Sequence, residues 1–363
     1  MKRPLFVFAG QSNMMGACVY PPKKQIFFKD SYEYIHKPKR FGAQEGEFKK
    51  VGFPCGEFSY KNLDKAYGEQ RDWTQKSTLK NYRENAYFCP SISNLDSEEE
   101  KTEKDFSLFC ERTAEEGVAL PPFLVQAWEI LGQKCLYTHI AKGSISIRYY
   151  FDREMIKAVN ERINQFNLLN SKKLENQEVE KDFCDASAYF TEKVLDFFVD
   201  SKQRFQNDDL KTKVFFWLQG ESDANMDKNL YKIYLQILWL RLQSLGFTHF
   251  FCIRVGWWWN DSIGSIIQAQ EEFCEETKGA YMLTRVNSFM PLYGQPEGDW
   301  FIEKPQEEFY YCRDSFLGFK NQHVNEKGFQ VISKYAIKNM VRILIDGKKP
   351  ILEKEILKCV LYK

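Results

Sequence analysis

A serine, a histidine and a block of amide and carboxylate side chains are spread along this chain in an order that suits acyl transfer. The serine is Ser12, in the run Gly10-Gln11-Ser12-Asn13-Met14-Met15, which begins where the apolar segment Pro4-Leu5-Phe6-Val7-Phe8-Ala9 ends. In an open parallel α/β sheet, ligands gather outside the carboxyl ends of strands, so a serine presented there is a candidate nucleophile. A serine in that place is as often a helix cap, and the choice depends on whether the chain supplies partners. A nucleophilic serine needs a base, and His323 is the candidate among four histidines. The base needs an orienting acceptor, and the tetrahedral intermediate needs N–H donors fixed in advance. Gly143, in Ala141-Lys142-Gly143-Ser144-Ile145, lets a backbone N–H come close to a ligand because glycine has no side chain. Gln219, in Gln219-Gly220-Glu221-Ser222-Asp223, brings an amide with two carboxylates alongside. The N–H groups of Ser12 and Gly143 and the Gln219 side chain make a candidate oxyanion hole, each donor contributing roughly 3–4 kcal/mol of transition-state stabilisation.

These residues have to be held by strands and helices that converge at one edge. Five segments are continuously apolar and rich in β-branched and aromatic residues, at 4–9, 135–140, 214–218, 250–255 and 280–284. Continuous rather than alternating apolarity predicts strands buried on both faces. Helical periodicity lies between and after them, at 121–131, 186–206, 229–245, 262–277 and 327–344. The first of these opens on Pro121-Pro122 and stops at Gly132, as helices start and stop. The alternation predicts a three-layer α/β/α sandwich on a parallel sheet of about five strands. Residues 18–117 break the rhythm, basic and aromatic at first and acidic later. They are expected to form an inserted subdomain or lid beside the strand ends.

Composition limits the partners. The 363 residues carry a net charge of +1 with 28% charged side chains, so no global field favours nucleic acid or an anionic membrane. No apolar run is long enough to span a bilayer. Ten cysteines at irregular spacing include no Cys-x-x-Cys pair, which points to reduced thiols, no structural zinc and a cytoplasmic address. Met1-Lys2-Arg3 imitates the start of a signal peptide, but the apolar stretch after it is short and reads as the strand that leads to Ser12. Aromatic residues make up 16% of the chain, and some of the rings are expected to line a groove. There is no P-loop and no His-Glu-x-x-His, and Met14 stands where a Gly-x-Ser-x-Gly elbow would need its second glycine.

Taken together, Gly10-Gln11-Ser12-Asn13-Met14, Gly143, Trp217-Leu218-Gln219-Gly220-Glu221-Ser222-Asp223 and His323 resemble the SGNH hydrolase superfamily. Within it the chain is similar to the carbohydrate esterase family 6 and sialate O-acetylesterase branch. The resemblance spans nearly the whole chain, residues 18–117 and 290–320 excepted. It implies one flavodoxin-like domain over residues 1–363, with no cofactor and no metal, that removes O-acetyl groups from a sugar or polysaccharide through a serine acyl-enzyme. Ser12 would then attack, His323 act as base, and Gly143 with Gln219 hold the oxyanion, while Gln11, Asn13 and Trp257 touch the substrate. One position departs from the pattern. Many members carry the acid three residues before the histidine, where this chain has Lys320, which cannot accept an imidazole N–H. Glu221 is the acid expected to orient His323, with Asp223 and Asp314 as substitutes, or a backbone carbonyl in a Ser–His dyad. The same machinery would serve an O-acetyltransferase acting on a glycan, and a chain without a working acid would only bind glycans. Arg148, Arg254 and Arg285 are candidates to pair with a substrate carboxylate.

Overall fold

A computed structural model of the protein describes residues 2–16, 26–36, 46–50, 52, 119–256, 263–289, 324 and 326–354. At its centre lies β1 (Leu5–Gly10), in which Leu5 to Ala9 are at most 1% exposed. Continuous apolarity has that meaning in a parallel sheet, because neither face of the strand meets solvent. β1 pairs in parallel with β4 (Leu136–Ala141) on one side and β5 (Lys213–Leu218) on the other. Beyond β5 follow β6 (His249–Ile253) and β7 (Ala280–Thr284), also parallel.

Two further strands lie outside β4. β2 (Tyr32–Ile35) pairs with it in parallel, and β3 (Glu47–Lys49) runs antiparallel to β2 at the edge. The sheet therefore has seven strands, in the order β3-β2-β4-β1-β5-β6-β7, which corrects the expected count of about five. The five strands read from apolar runs are all present, and the two additional ones come from the 18–117 stretch. Their charges hid them. Glu33 and Lys49 face each other in a 3.0 Å ion pair with fully buried side chains, and the Tyr137 hydroxyl donates to Glu33 at 3.3 Å. Sequence pattern assigns such residues to solvent, whereas here each charge finds its partner inside. Most of the rest of 18–117, and with it the expected lid, lies outside the described residues.

Helices cover both faces of the sheet. On one, α2 (Leu120–Ile130) packs on α8 (Glu326–Leu344), with the one-turn α1 (Ser12–Met15) against α2. Pro121 and Pro122 open α2, where a missing N–H leaves no helical bond unmade. On the other, α5 (Lys228–Ser244) lies between α3 (Arg153–Leu169) and α6 (Ile263–Glu276), and α4 (Lys181–Arg204) packs on the 3-10 turn Ile147–Tyr150. A short α7 (Val286–Phe289) follows β7. Among the described residues no helix is long and apolar enough to cross a membrane.

The result is the expected α/β/α sandwich. Its five sequence-legible strands run second-first-third-fourth-fifth across the sheet, the flavodoxin order. The chain leaves β1 toward one edge and, after β4, crosses to its other side. The crevice at the carboxyl ends of β1 and β5 is therefore a topological switch point, the place where open α/β sheets bind ligands.

Candidate active site

Strand register delivers three of the chemical blocks to one level. Gly10 is level with Ala141 on one side and Leu218 on the other, so Ser12, Gly143 and Gly220 each lie two residues past a common line. Neighbouring strands are about 4.8 Å apart, so the blocks emerge side by side. Two glycines permit the turns. Gly10 has φ +149°, and a Cβ there would sit 2.0 Å from the Leu218 carbonyl oxygen. Gly220 has φ +147°, and a Cβ there would sit 2.6 Å from Ile266 Cγ2. Any other residue is excluded at both positions by conformation and by contact.

Ser12 opens α1 without capping it. The cap position belongs to Gln11, which makes no side-chain cap bond, and this removes the capping reading of Ser12. Ser12 is half-buried, and its hydroxyl meets no partner among the described residues.

The first and third blocks are tied together by amides. The buried Gln11 side-chain oxygen accepts from the Gly220 N–H at 3.3 Å, the Ser222 N–H at 3.1 Å and the Gln219 amide at 3.2 Å. Gln219 is fully buried, and its amide nitrogen also donates to Asp223 Oδ2 at 2.6 Å and to the Ile145 carbonyl at 3.1 Å. Its side-chain oxygen accepts from Tyr231 Oη at 2.7 Å, and its backbone carbonyl accepts from Gln270 Nε2 at 2.7 Å. Gln11, expected to touch substrate, thus turns its amide oxygen inward, and Gln219, expected to face an oxyanion, has both ends of its amide engaged within the protein. Gln270 adds a link that the sequence reading missed, because its Oε1 accepts from the Val255 N–H at 2.9 Å and so joins the ends of β5 and β6. A glutamine on the buried stripe of α6, among Ile266, Ile267 and Phe273, is the signal that could have found it.

Asn13, 2% exposed, joins three parts of the chain. Its Nδ2 donates to Glu221 Oε1 at 2.8 Å, and its Oδ1 accepts from the Val324 N–H at 3.1 Å. Val324 is the residue after His323. His323 itself lies outside the described residues, as do Asp314, Lys320 and Trp257. Asn13, expected to touch substrate, therefore has both ends of its amide engaged within the protein.

Asp223 is committed to the loop after β4. Its Oδ1 accepts from Ser146 Oγ at 2.5 Å, and its Oδ2 from the Ile147 N–H at 2.8 Å in addition to Gln219. Burial raises its carboxyl above the ordinary range, against these three hydrogen bonds, which pull it down. At the tip of the same loop Gly143 is half-buried and Ser144 exposed. Ser144 has φ +58°, a left-handed conformation uncommon for a residue with a side chain. Neither the Ser12 nor the Gly143 N–H meets an acceptor among the described residues.

Below the loop, buried His139 on β4 donates from Nε2 to the Met14 carbonyl in α1 at 2.9 Å, since a carbonyl can only accept. Burial pushes its pKa down to about 3, so the ring is neutral. Of the three arginines, Arg254 and Arg285 both bond Glu271, and Arg148 bonds Gln177.

No family model matches this sequence, and no curated protein matches it. Similar solved structures include a protein of Arabidopsis thaliana, 12% identical with a TM-score of 0.39, matched over 93% of this chain and 99% of that one. They also include NanS, 10% identical with a TM-score of 0.43, matched over 95% of this chain and 98% of that one. At such values the likeness carries no argument, and the functional reading rests on the residues themselves.

Proposed function

We propose that this protein is a serine esterase that removes O-acetyl groups from a carbohydrate. The observation that carries the reading is the Asn13 bridge, which holds Glu221 and the backbone next to His323 against the residue that follows Ser12. A serine, an acid and the backbone beside a histidine, drawn to one strand end from three distant stretches of chain, suit the arrangement that acyl transfer needs. Ser12 attacks the ester carbonyl, and His323 takes its proton. The N–H groups of Ser12 and Gly143 receive the oxyanion, and His323 returns the proton to the departing sugar oxygen. Water, activated by the same histidine, then releases acetate from Ser12.

Glu221 is the acid of choice. Asp223 has both oxygens bonded to Ser146, Ile147 and Gln219, whereas Glu221 is joined through Asn13 to the backbone beside the histidine. Gln11, Asn13 and Gln219 position the chemistry. The motifs at Gly10–Met14 and Trp217–Asp223 support a sugar O-acetyl ester as the substrate.

Mass spectrometry after treatment with a serine-reactive fluorophosphonate tests the assignment. The expected adduct is on Ser12 in the wild type and is lost in both Ser12→Ala and His323→Ala. An adduct elsewhere, or labelling unchanged by Ser12→Ala, overturns it. Acetate released from an O-acetylated glycan by the wild type alone then tests the substrate class.

A further inference from the structure

The loop that carries Gly143 is anchored to the nucleophile strand on both sides of its tip. At its start the Lys142 N–H donates to the Gly10 carbonyl at 3.3 Å. Past the tip, Ser146 and Ile147 bond Asp223 at 2.5 and 2.8 Å, which ties the loop to the block after β5. At its end Tyr150, 1% exposed in the 3-10 turn Ile147–Tyr150, turns its hydroxyl onto Gly10. The hydroxyl accepts from the Gly10 N–H at 3.0 Å and donates to the Gly10 carbonyl at 3.0 Å. One phenol thus engages both backbone groups of the last residue of β1, two positions before Ser12. Its ring is fixed as well, edge-on to Phe190 and Trp217 with centroids 5.0 Å away in each case. Burial pushes its ionisation up, so the hydroxyl keeps the proton that it donates. Between the anchors Ser144 is held in the left-handed region, a conformation that surrounding structure has to impose.

We propose that Tyr150 is a positioning residue that sets the distance between Ser12 and the Gly143 N–H, with Asp223 holding the same loop from the β5 side. The inference rests on the serine-esterase reading and adds that the oxyanion hole is built before substrate arrives. Donors fixed in advance need no rearrangement as charge develops, and a misplacement of about 1 Å can cost roughly 100-fold in rate.

Tyr150→Phe keeps the ring and its packing and removes only the hydroxyl. With p-nitrophenyl acetate, kcat is expected to fall about 10- to 100-fold with KM within about threefold, and fluorophosphonate labelling of Ser12 to slow by a similar factor. Circular dichroism establishes that the variant is folded. Ser146→Ala removes the hydroxyl that bonds Asp223 and caps the 3-10 turn carrying Tyr150, leaves the sheet untouched, and tests the clamp if the Phe variant does not fold; its expected loss in kcat is about three- to tenfold. A wild type that neither hydrolyses the ester nor labels at Ser12 removes the esterase reading and this inference with it. Where the wild type is active, kcat within twofold of it in a folded variant, or a loss confined to melting temperature, overturns the role of Tyr150 and leaves the esterase reading standing.

Discussion

The loops on either side of β1 are built to different rules. After β5, the polar groups of Gln219 are taken up by Gln11, Ile145, Asp223, Tyr231 and Gln270, and Gly220 admits no other residue. After β4, a Cβ on Gly143 would meet only the flexible end of Met15, whose Cε at 3.3 Å would have to give way, Ser144 is exposed, and bonds hold only the base of the loop. The contrast fits what the proposed reaction would ask of each side. A carboxylate that steers an imidazole acts through its direction, so its turn is fixed by side-chain bonds in the interior. An oxyanion donor is a backbone N–H that has to meet an incoming substrate, so the tip stays open and its base is clamped.

Glu221→Gln strikes hardest at this contrast. The variant keeps an oxygen for Asn13 Nδ2 and should fold normally, but it loses the charge that would stabilise the imidazolium of His323. Ester hydrolysis should drop about 10³- to 10⁴-fold in kcat, and a rate within tenfold of the wild type would move the acid elsewhere. Gln219→Leu comes next, through stability: it strips donors and acceptors from Asp223, Tyr231 and Gln11 inside the protein. Urea unfolding should show a loss of about 3 kcal/mol, and a change under about 1 kcal/mol would mean that the β5 side is no more rigid than the β4 side.

Acid reaches the site through the histidines. Burial holds the pKa of His139 down to about 3 and that of His36 well below the usual value, while both take up protons near pH 6.5 in the unfolded chain. The stability each contributes is therefore complete above about pH 6.5 and is lost as pH falls toward the folded-state value. Between pH 7.5 and 5.5 the wild type should lose about 1.4 kcal/mol more than His139→Gln, which retains a donor for the Met14 carbonyl. Equal losses in the two proteins would show that His139 is not buried neutral. The smallest effect belongs to the open tip, where Ser144→Gly relieves the left-handed backbone but loosens the unfolded chain. Stability should move by less than about 1 kcal/mol in chemical denaturation, and a larger drop would mean that the tip is braced through its side chain.

Apolar runs made five strands visible because nothing but burial on both faces explains six consecutive residues like Leu5–Gly10. β2 and β3 stayed hidden because Glu33 and Lys49 neutralise each other in the interior, and sequence alone shows two charges rather than a pair. Helix α3 was also missed, since only Met155, Ile156, Val159 and Ile163 of its residues are buried. That the blocks at Ser12, Gly143 and Gly220 follow strands was legible because each comes directly after an apolar run. The division of labour among Gln11, Asn13 and Gln219 was not, because an amide suits a ligand and a neighbouring backbone equally. Only register and crossover decide, and the two partners of Asn13 lie 208 and 311 residues away along the chain. Tyr150 carries no motif at all, and its role follows from where the 3-10 turn places it.

The central place of β1 has a consequence in time. Leu5 has to wait for Leu136 on one side and Lys213 on the other, and Asn13 for Val324. At 5–20 residues per second, roughly 10–40 s pass between synthesis of β1 and of its second neighbour. Both edges of this apolar strand stay unpaired until β4 is made, and one edge until β5 is made, a template for aggregation and a natural client for a chaperone. Non-local pairing of this kind also makes folding slow. Asn13 meets Val324 only once the start of α8 has left the ribosome, so a chain stopped short of Val324 would lack the bond that joins α1 to that distant segment.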